Sequence, residues 1–183
     1  MNAAPNATSR RADAVHNRSA LLAAGERVFA RSGVDVPMEE VAREAGVGRG
    51  TLYRHFPSRE HLLGALMEEQ AACLAAEARR LLDEEPVWEG LVSWLRRYDE
   101  ALARFRGAGH HVGPGLTGTS PVATACHPMR VAFAALLDHM SVLVRPGITA
   151  EQVLALVAAL PKDPDTGGAQ AQCLDIVVRG LRA

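Results

Sequence analysis

Residues 38–56, MEEVAREAGVGRGTLYRHF, constrain this chain more than any other stretch. Val41, Ala42 and Ala45 recur at helical spacing, and Gly46-Val47-Gly48 then interrupts the pattern. Glycine reaches positive φ without steric cost, so the interruption reads as a sharp reversal between two short helices. The second helix, residues 49–56, places Leu52 and Phe56 four apart on one face. Its other faces offer Arg49, Thr51, Tyr53, Arg54 and His55. Packing alone leaves so many outward donors unexplained. A recognition helix laid in a DNA major groove explains them.

The run GVGRGTLYRHFPSREHLL resembles the helix-turn-helix of the TetR family of bacterial transcriptional regulators, with TLY, an aromatic and a helix-starting SRE as its most recognisable part. The resemblance is good over residues 17–66 and weaker beyond, where the chain is similar to a TetR-type regulatory domain of the SbtR-like group. It implies an all-α protein: an N-terminal three-helix DNA-binding domain with a helix-turn-helix, then a C-terminal helical ligand-binding and dimerisation domain. It also implies a homodimer on double-stranded, pseudo-palindromic operator DNA. An unknown small-molecule effector would release it, which makes it a repressor. Carried onto this chain, the family pattern puts Thr51, Tyr53 and His55 on phosphates, Arg49 and Gly50 nearest the bases, and Arg54 among the DNA-facing donors. Arg59, opening the next helix, is either a further phosphate contact or a solvated surface arginine.

Two positions depart from that pattern. Pro37 stands where a threonine usually caps the second helix and touches a phosphate, and proline cannot supply the hydroxyl. Gly48 stands where a serine cap is common. Glu39 and Glu40 suit the positive end of the helix dipole. A carboxylate beside DNA opposes phosphate binding, so Glu39 receives no base contact.

Charge divides as this reading requires. Residues 1–60 hold nine arginines against seven acids, whereas residues 61–183 hold eleven bases against fourteen acids. Between Ala45 and Arg59 there are three arginines and no acid, so positive charge sits where the motif sits. Cys73, Cys126 and Cys173 are far apart, with no CxxC pair, which argues against a structural zinc and fits a reduced cytoplasmic setting. No apolar run approaches the roughly 20 residues of a membrane span, so no membrane partner is expected. Nucleophile-elbow and zincin motifs are missing, as is any cysteine with a visible histidine partner; the expectation is a non-enzyme without cofactor. His110 and His111 are adjacent and point to opposite faces of an extended chain, so they chelate poorly and no metal is expected.

In chain order, residues 1–14 are small and polar and read as a disordered arm, either a solvated tail or a basic arm using Arg10 and Arg11. Residues 15–60 form the DNA-binding domain, its first helix spanning 17–31 and ending at Ser32-Gly33. The effector-binding and dimerisation domain occupies residues 61–183. Ser58 reads as the N-cap of a long helix over 59–84, followed by an amphipathic helix over 87–105. Five glycines and two prolines in residues 107–121 break the pattern without forming a P-loop. Helices follow over 122–144, where Pro128 must start or kink the helix, over 150–160 with a Thr149/Gln152 capping box, and over 169–181. Trp94, Tyr98, His110, His111, Met129, Phe133 and Met140 are candidate pocket-lining residues, with simple core packing as the other reading. Trp94 is the preferred one, because it lies off the main apolar stripe. Val153, Leu156, Val157 and Leu160, with Cys173, Ile176, Val177 and Leu181, make two apolar stripes expected to form a four-helix dimer interface. Two other functions stay open: a DNA-binding regulator without an effector, and a helical binding module or small enzyme that merely carries a helix-turn-helix.

Overall fold

The computed structural model of the protein describes residues 7–105, 107, 118–161 and 168–183. Among them the chain forms eight helices: α1 (Ala7–Ser32), α2 (Met38–Glu44), α3 (Arg49–His55), α4 (Arg59–Leu82), α5 (Trp88–Ala103), α6 (Pro121–His139), α7 (Ala150–Ala158) and α8 (Ala169–Leu181). No strand occurs among the described residues; an isolated bridge joins Val144 to Arg182. The all-α expectation therefore holds.

Helix ends follow local chemistry. Gly33 takes a φ of 83° and its N–H bonds the Phe29 carbonyl at 2.9 Å, closing α1. The Ser58 hydroxyl accepts from the His61 N–H at the start of α4, and Ser120 accepts from the Ala123 N–H at the start of α6. Thr149 and Gln152 form the complete capping box of α7.

Two of the differences from the sequence reading concern how far a helix extends past an expected break; a third is that the helix read over 122–144 ends at His139. α1 begins at Ala7, so half of the stretch read as a disordered arm is helix. Residues 11–16 are exposed. Alanine and arginine favour helix, and no breaker separates them from the buried part of α1, so the helix propagates outward without tertiary cover. α6 passes through Pro128 from a start at Pro121. The lost N–H of one exposed proline is outweighed by the apolar side of α6, where Val122, Cys126, Met129 and Phe133 are all buried.

α4 lies between the two halves and shares its largest interface with α6. A methyl group added at Gly25 of α1 would meet Leu62 of α4 at 3.3 Å; one added at Gly64 of α4 would meet the Pro121 carbonyl oxygen at 2.9 Å. The first contact is with a flexible side-chain end, the second with backbone. On the other side of the DNA-binding half, Glu44 of α2 pairs with Arg27 of α1 at 2.9 Å and with Arg31 at 3.8 Å. The hydrogen bond from Arg27, then the charges of Arg27, Arg31 and Arg43, hold the Glu44 carboxyl below its usual range.

Two predictions follow from these contacts. Gly64→Ala should lower the melting temperature, because α6 must move off α4. Overpacking of this kind costs about 1–3 kcal/mol, against a helix-propensity gain of about 1 kcal/mol. Gly50→Ala, where nothing lies within 4 Å, should raise it; equal melting of the two variants would contradict the close approach. For Glu44 the folded-state pKa is depressed, so its contribution is present above the ordinary value of 4.5 and is lost as pH falls through the folded value. Glu44→Gln should thus weaken the fold slightly at neutral pH and flatten the acid limb of the melting-temperature profile. An unchanged acid limb would show the pair to be inert.

Candidate nucleic-acid interface

The reversal between α2 and α3 is built by Gly46 alone. Its φ is 68°, its N–H bonds the Arg43 carbonyl at 3.2 Å, and the Val47 N–H bonds the Ala42 carbonyl at 3.0 Å. These two bonds make a Schellman ending. Gly48 has an ordinary extended conformation as the N-cap of α3, with no side-chain cap. Pro37 likewise caps α2 without a side-chain bond.

α3 is anchored by Leu52 and Phe56, both buried, the latter beneath the Arg18 guanidinium at 5.6 Å. With that face fixed, Arg49, Gly50 and Arg54 are exposed, and Thr51, Tyr53 and His55 are half-buried. Five of the sequence-predicted donors and the backbone of Gly50 therefore share one seven-residue helix and its outward side. Arg59 of α4 is half-buried, and its Nη1 is enclosed without a protein partner. It is not the freely solvated arginine that one sequence reading allowed.

Glu39 enters this face, and sequence reasoning gave it no part in recognition. Its Oε1 lies 3.2 Å from Nε of Arg49 and accepts a hydrogen bond from the Tyr53 hydroxyl at 3.2 Å. The Arg49 guanidinium also stands over the Tyr53 ring, 5.5 Å from its centroid. The backbone N–H of Glu39, then the Tyr53 hydroxyl and the Arg49 charge, hold this carboxyl below the usual carboxylate range. In the free protein the Tyr53 proton thus goes to Glu39, not outward to a phosphate. The only signal for this triad in the sequence was an acid in a neighbouring helix, and separations of ten and fourteen residues across a turn are not readable from periodicity.

The residues expected to line a pocket lie, where described, inside the second half. Trp94, Tyr98, Met129, Phe133 and Met140 are all buried in the second-half core. Trp94 stacks on Phe133 at 4.3 Å and on Tyr98 at 5.7 Å, and its Nε1–H donates to the Leu74 carbonyl at 2.9 Å. It is fully buried in the packed core, not off it, because Leu74 of α4 and Phe133 of α6 both meet its ring. His110 and His111 lie outside the described residues. A groove of about 450 Å³ separates α5 from α8, lined by Val92, Arg96, Asp99, Gln170, Leu174 and Val178. Asp99 is only 4% exposed and accepts from Gln170 Nε2 at 2.6 Å. His139 bonds the Glu84 carbonyl at 3.0 Å, which occupies one of its ring nitrogens.

The expected interface residues divide in two. Val153, Val157 and Leu181 are buried within the single chain, which corrects their assignment to a partner contact. Leu156 and Ile176 are 54% and 69% exposed, with Leu160, Cys173 and Val177 half-buried beside them. Periodicity identified the apolar positions of α7 and α8, but the monomer core claims one side of each helix.

Comparison with known proteins agrees with this arrangement. The model of bacterial regulatory proteins of the tetR family matches residues 21–66, and that of the SbtR-like transcriptional regulator C-terminal domain matches residues 88–183. A TetR transcriptional regulator from Streptomyces coelicolor, SCO0520, is 34% identical, with 90% of this chain and 98% of that one covered and a TM-score of 0.56. The regulator FadR from Bacillus subtilis, solved in complex with stearoyl-CoA, shares the fold at 17% identity, with coverage of 89% and 98% and a TM-score of 0.58. The HTH-type transcriptional regulator SAR0097 of Staphylococcus aureus (strain MRSA252) is 34% identical over 86 residues, 45% of this chain and 44% of that protein, so the chain spans less than half of that relative's length. Both halves match in order, and the regulatory-domain match alone spans more than half of the chain: the protein belongs to the TetR family of bacterial transcriptional regulators, a family of regulators and not of enzymes.

Proposed function

We propose that the protein is a DNA-binding regulator that occupies a pseudo-palindromic operator as a homodimer, represses from it, and is released by a small-molecule effector. The observation that carries the DNA reading is the outward side of α3, where Arg49, Gly50 and Arg54 stand exposed over the buried anchors Leu52 and Phe56. Arg49 takes the base-reading role, Gly50 allows close approach, and Thr51, Arg54 and His55 hold phosphates. Arg59, with its enclosed Nη1, supports a further phosphate contact at the start of α4.

The dimer reading rests on Leu156 and Ile176. Large aliphatic side chains so exposed on two neighbouring helices form a self-matching patch for a two-fold partner. For the effector, the groove between α5 and α8 with its buried Asp99 is the feature that supports a ligand site, and FadR shows that this fold can hold a small molecule. A regulator without an effector is favoured by one observation, the mutual stacking of Trp94, Tyr98 and Phe133 in the second-half core. Thermal-shift screening separates the two, since an effector that binds the folded state raises the melting temperature.

Selection from random duplexes should yield a palindromic site. On that site Arg49→Ala should cost about 1–3 kcal/mol and relax selectivity at one base pair per half-site, whereas His55→Ala should weaken all sequences about equally. Uniform weakening by Arg49→Ala would move that side chain to the phosphate class. For the dimer, Ile176→Asp should give a helical monomer with little operator affinity, read by sedimentation and circular dichroism. A helical wild-type protein that sediments as a monomer at micromolar concentration would overturn the interface.

A further inference from the structure

Glu39 stands in an unfavourable place for a protein that binds polyanions. It is one of two acids in the first turn of α2, and it leans onto the face that α3 presents. Stability does not explain it. The Arg49 side chain is 73% exposed and that of Glu39 46% exposed, and ion pairs so open to water add little to a fold. Three contacts nevertheless close a triangle: carboxylate to Arg49 Nε, carboxylate to Tyr53 hydroxyl, and guanidinium over the Tyr53 ring. The ring and the carboxylate hold the guanidinium from two sides, and they belong to two different helices.

The orientation matters chemically. The carboxylate approaches Arg49 most closely at Nε, on the inner edge of the guanidinium. The two terminal nitrogens, at the far end, carry the paired N–H groups that match O6 and N7 of guanine. An untethered arginine can swing to the nearest phosphate, which carries no sequence information. An arginine held at Nε by a carboxylate cannot do so without leaving that carboxylate's charge facing the DNA backbone with no cation beside it, only the Tyr53 hydroxyl.

We infer that Glu39 is a specificity-determining residue, which positions Arg49 for guanine through the Glu39–Arg49–Tyr53 triangle and penalises sites where Arg49 has no guanine to meet. The inference rests on the reading of α3 as a recognition helix. It assigns Glu39 an effect opposite to that of the neighbouring cations: it weakens binding to DNA in general and sharpens the choice among sequences. Tyr53 then belongs with base selection through Arg49, and not with the phosphate contacts.

The test compares the full-length wild type, Glu39→Gln, Arg49→Ala and the double variant on the selected duplex, on its single-base variants across one half-site, and on a random duplex. Circular dichroism and melting establish that each protein is folded. Glu39→Gln keeps the shape and removes the charge. It should bind the random duplex several-fold more tightly than wild type, and its discrimination should fall by roughly fivefold or more at the base pair that Arg49→Ala relaxes. In the double variant discrimination at that pair should fall no further than in Arg49→Ala alone, since Glu39 acts through Arg49. Tyr53→Phe, which keeps the ring and loses the hydroxyl, should give a smaller loss at the same pair. Full discrimination by a folded Glu39→Gln protein, or a loss confined to pairs that Arg49→Ala leaves alone, would overturn the role of Glu39 while leaving DNA binding intact. A folded wild type that selects no duplex at all would instead remove the recognition-helix reading itself.

Discussion

Leu62, Leu63 and Gly64 of α4 hold the two halves of the molecule together. Leu62 fills the space beside Gly25 of α1, Leu63 is fully buried, and Gly64 lets the backbone at Pro121 come within a distance that no side chain would allow. α4 continues without interruption from Arg59 to Leu82, roughly 36 Å at 1.5 Å per residue. The element that begins beside the recognition helix is therefore the same rigid rod on which the regulatory core is assembled. A loss of fit at Gly64 would open the α4–α6 contact inside a hydrophobic core that runs through both halves.

The second-half core shows why large side chains in a TetR-type regulatory domain need not mark a cavity. Trp94, Tyr98 and Phe133 stack on one another, and each polar handle has somewhere to go: the indole N–H reaches the Leu74 carbonyl, and the Tyr98 hydroxyl lies 3.5 Å from the Leu154 carbonyl. Burial pushes the Tyr98 phenol far above its ordinary range and raises the Cys126 thiol to about 11, so both are neutral packing groups here. The polar group at the margin of this core is Asp99, and it faces the groove between α5 and α8.

On the α3 side, charge is arranged for choice as well as for attraction. Arg49, Arg54 and Arg59 supply the positive field, while Glu39 works against it at one point. Glu44, a turn further along α2, faces the opposite way and ties down Arg27 and Arg31 of α1. Two of the three acids on this seven-residue helix thus serve different surfaces, one docking α2 and the other shaping what α3 presents.

Features governed by nearest neighbours along the chain were legible in the sequence. The caps at Ser58 and Thr149, the closure of α1 at Gly33, the bounds of α8 and the anchoring pair Leu52 and Phe56 depend on hydrogen bonds and rotations within a few residues. Periodicity also identified which faces of α7 and α8 are apolar. It did not say what covers them: Val153, Val157 and Leu181 turned inward while Leu156 and Ile176 remained outside. The passage of α6 through Pro128, the central place of Trp94 and the contact of Glu39 with Arg49 and Tyr53 had the same origin. A residue's type and spacing specify what it can bond, but the partner is set by how distant helices cross, and that was decided only when α4, α5 and α6 packed together and α3 turned against α2.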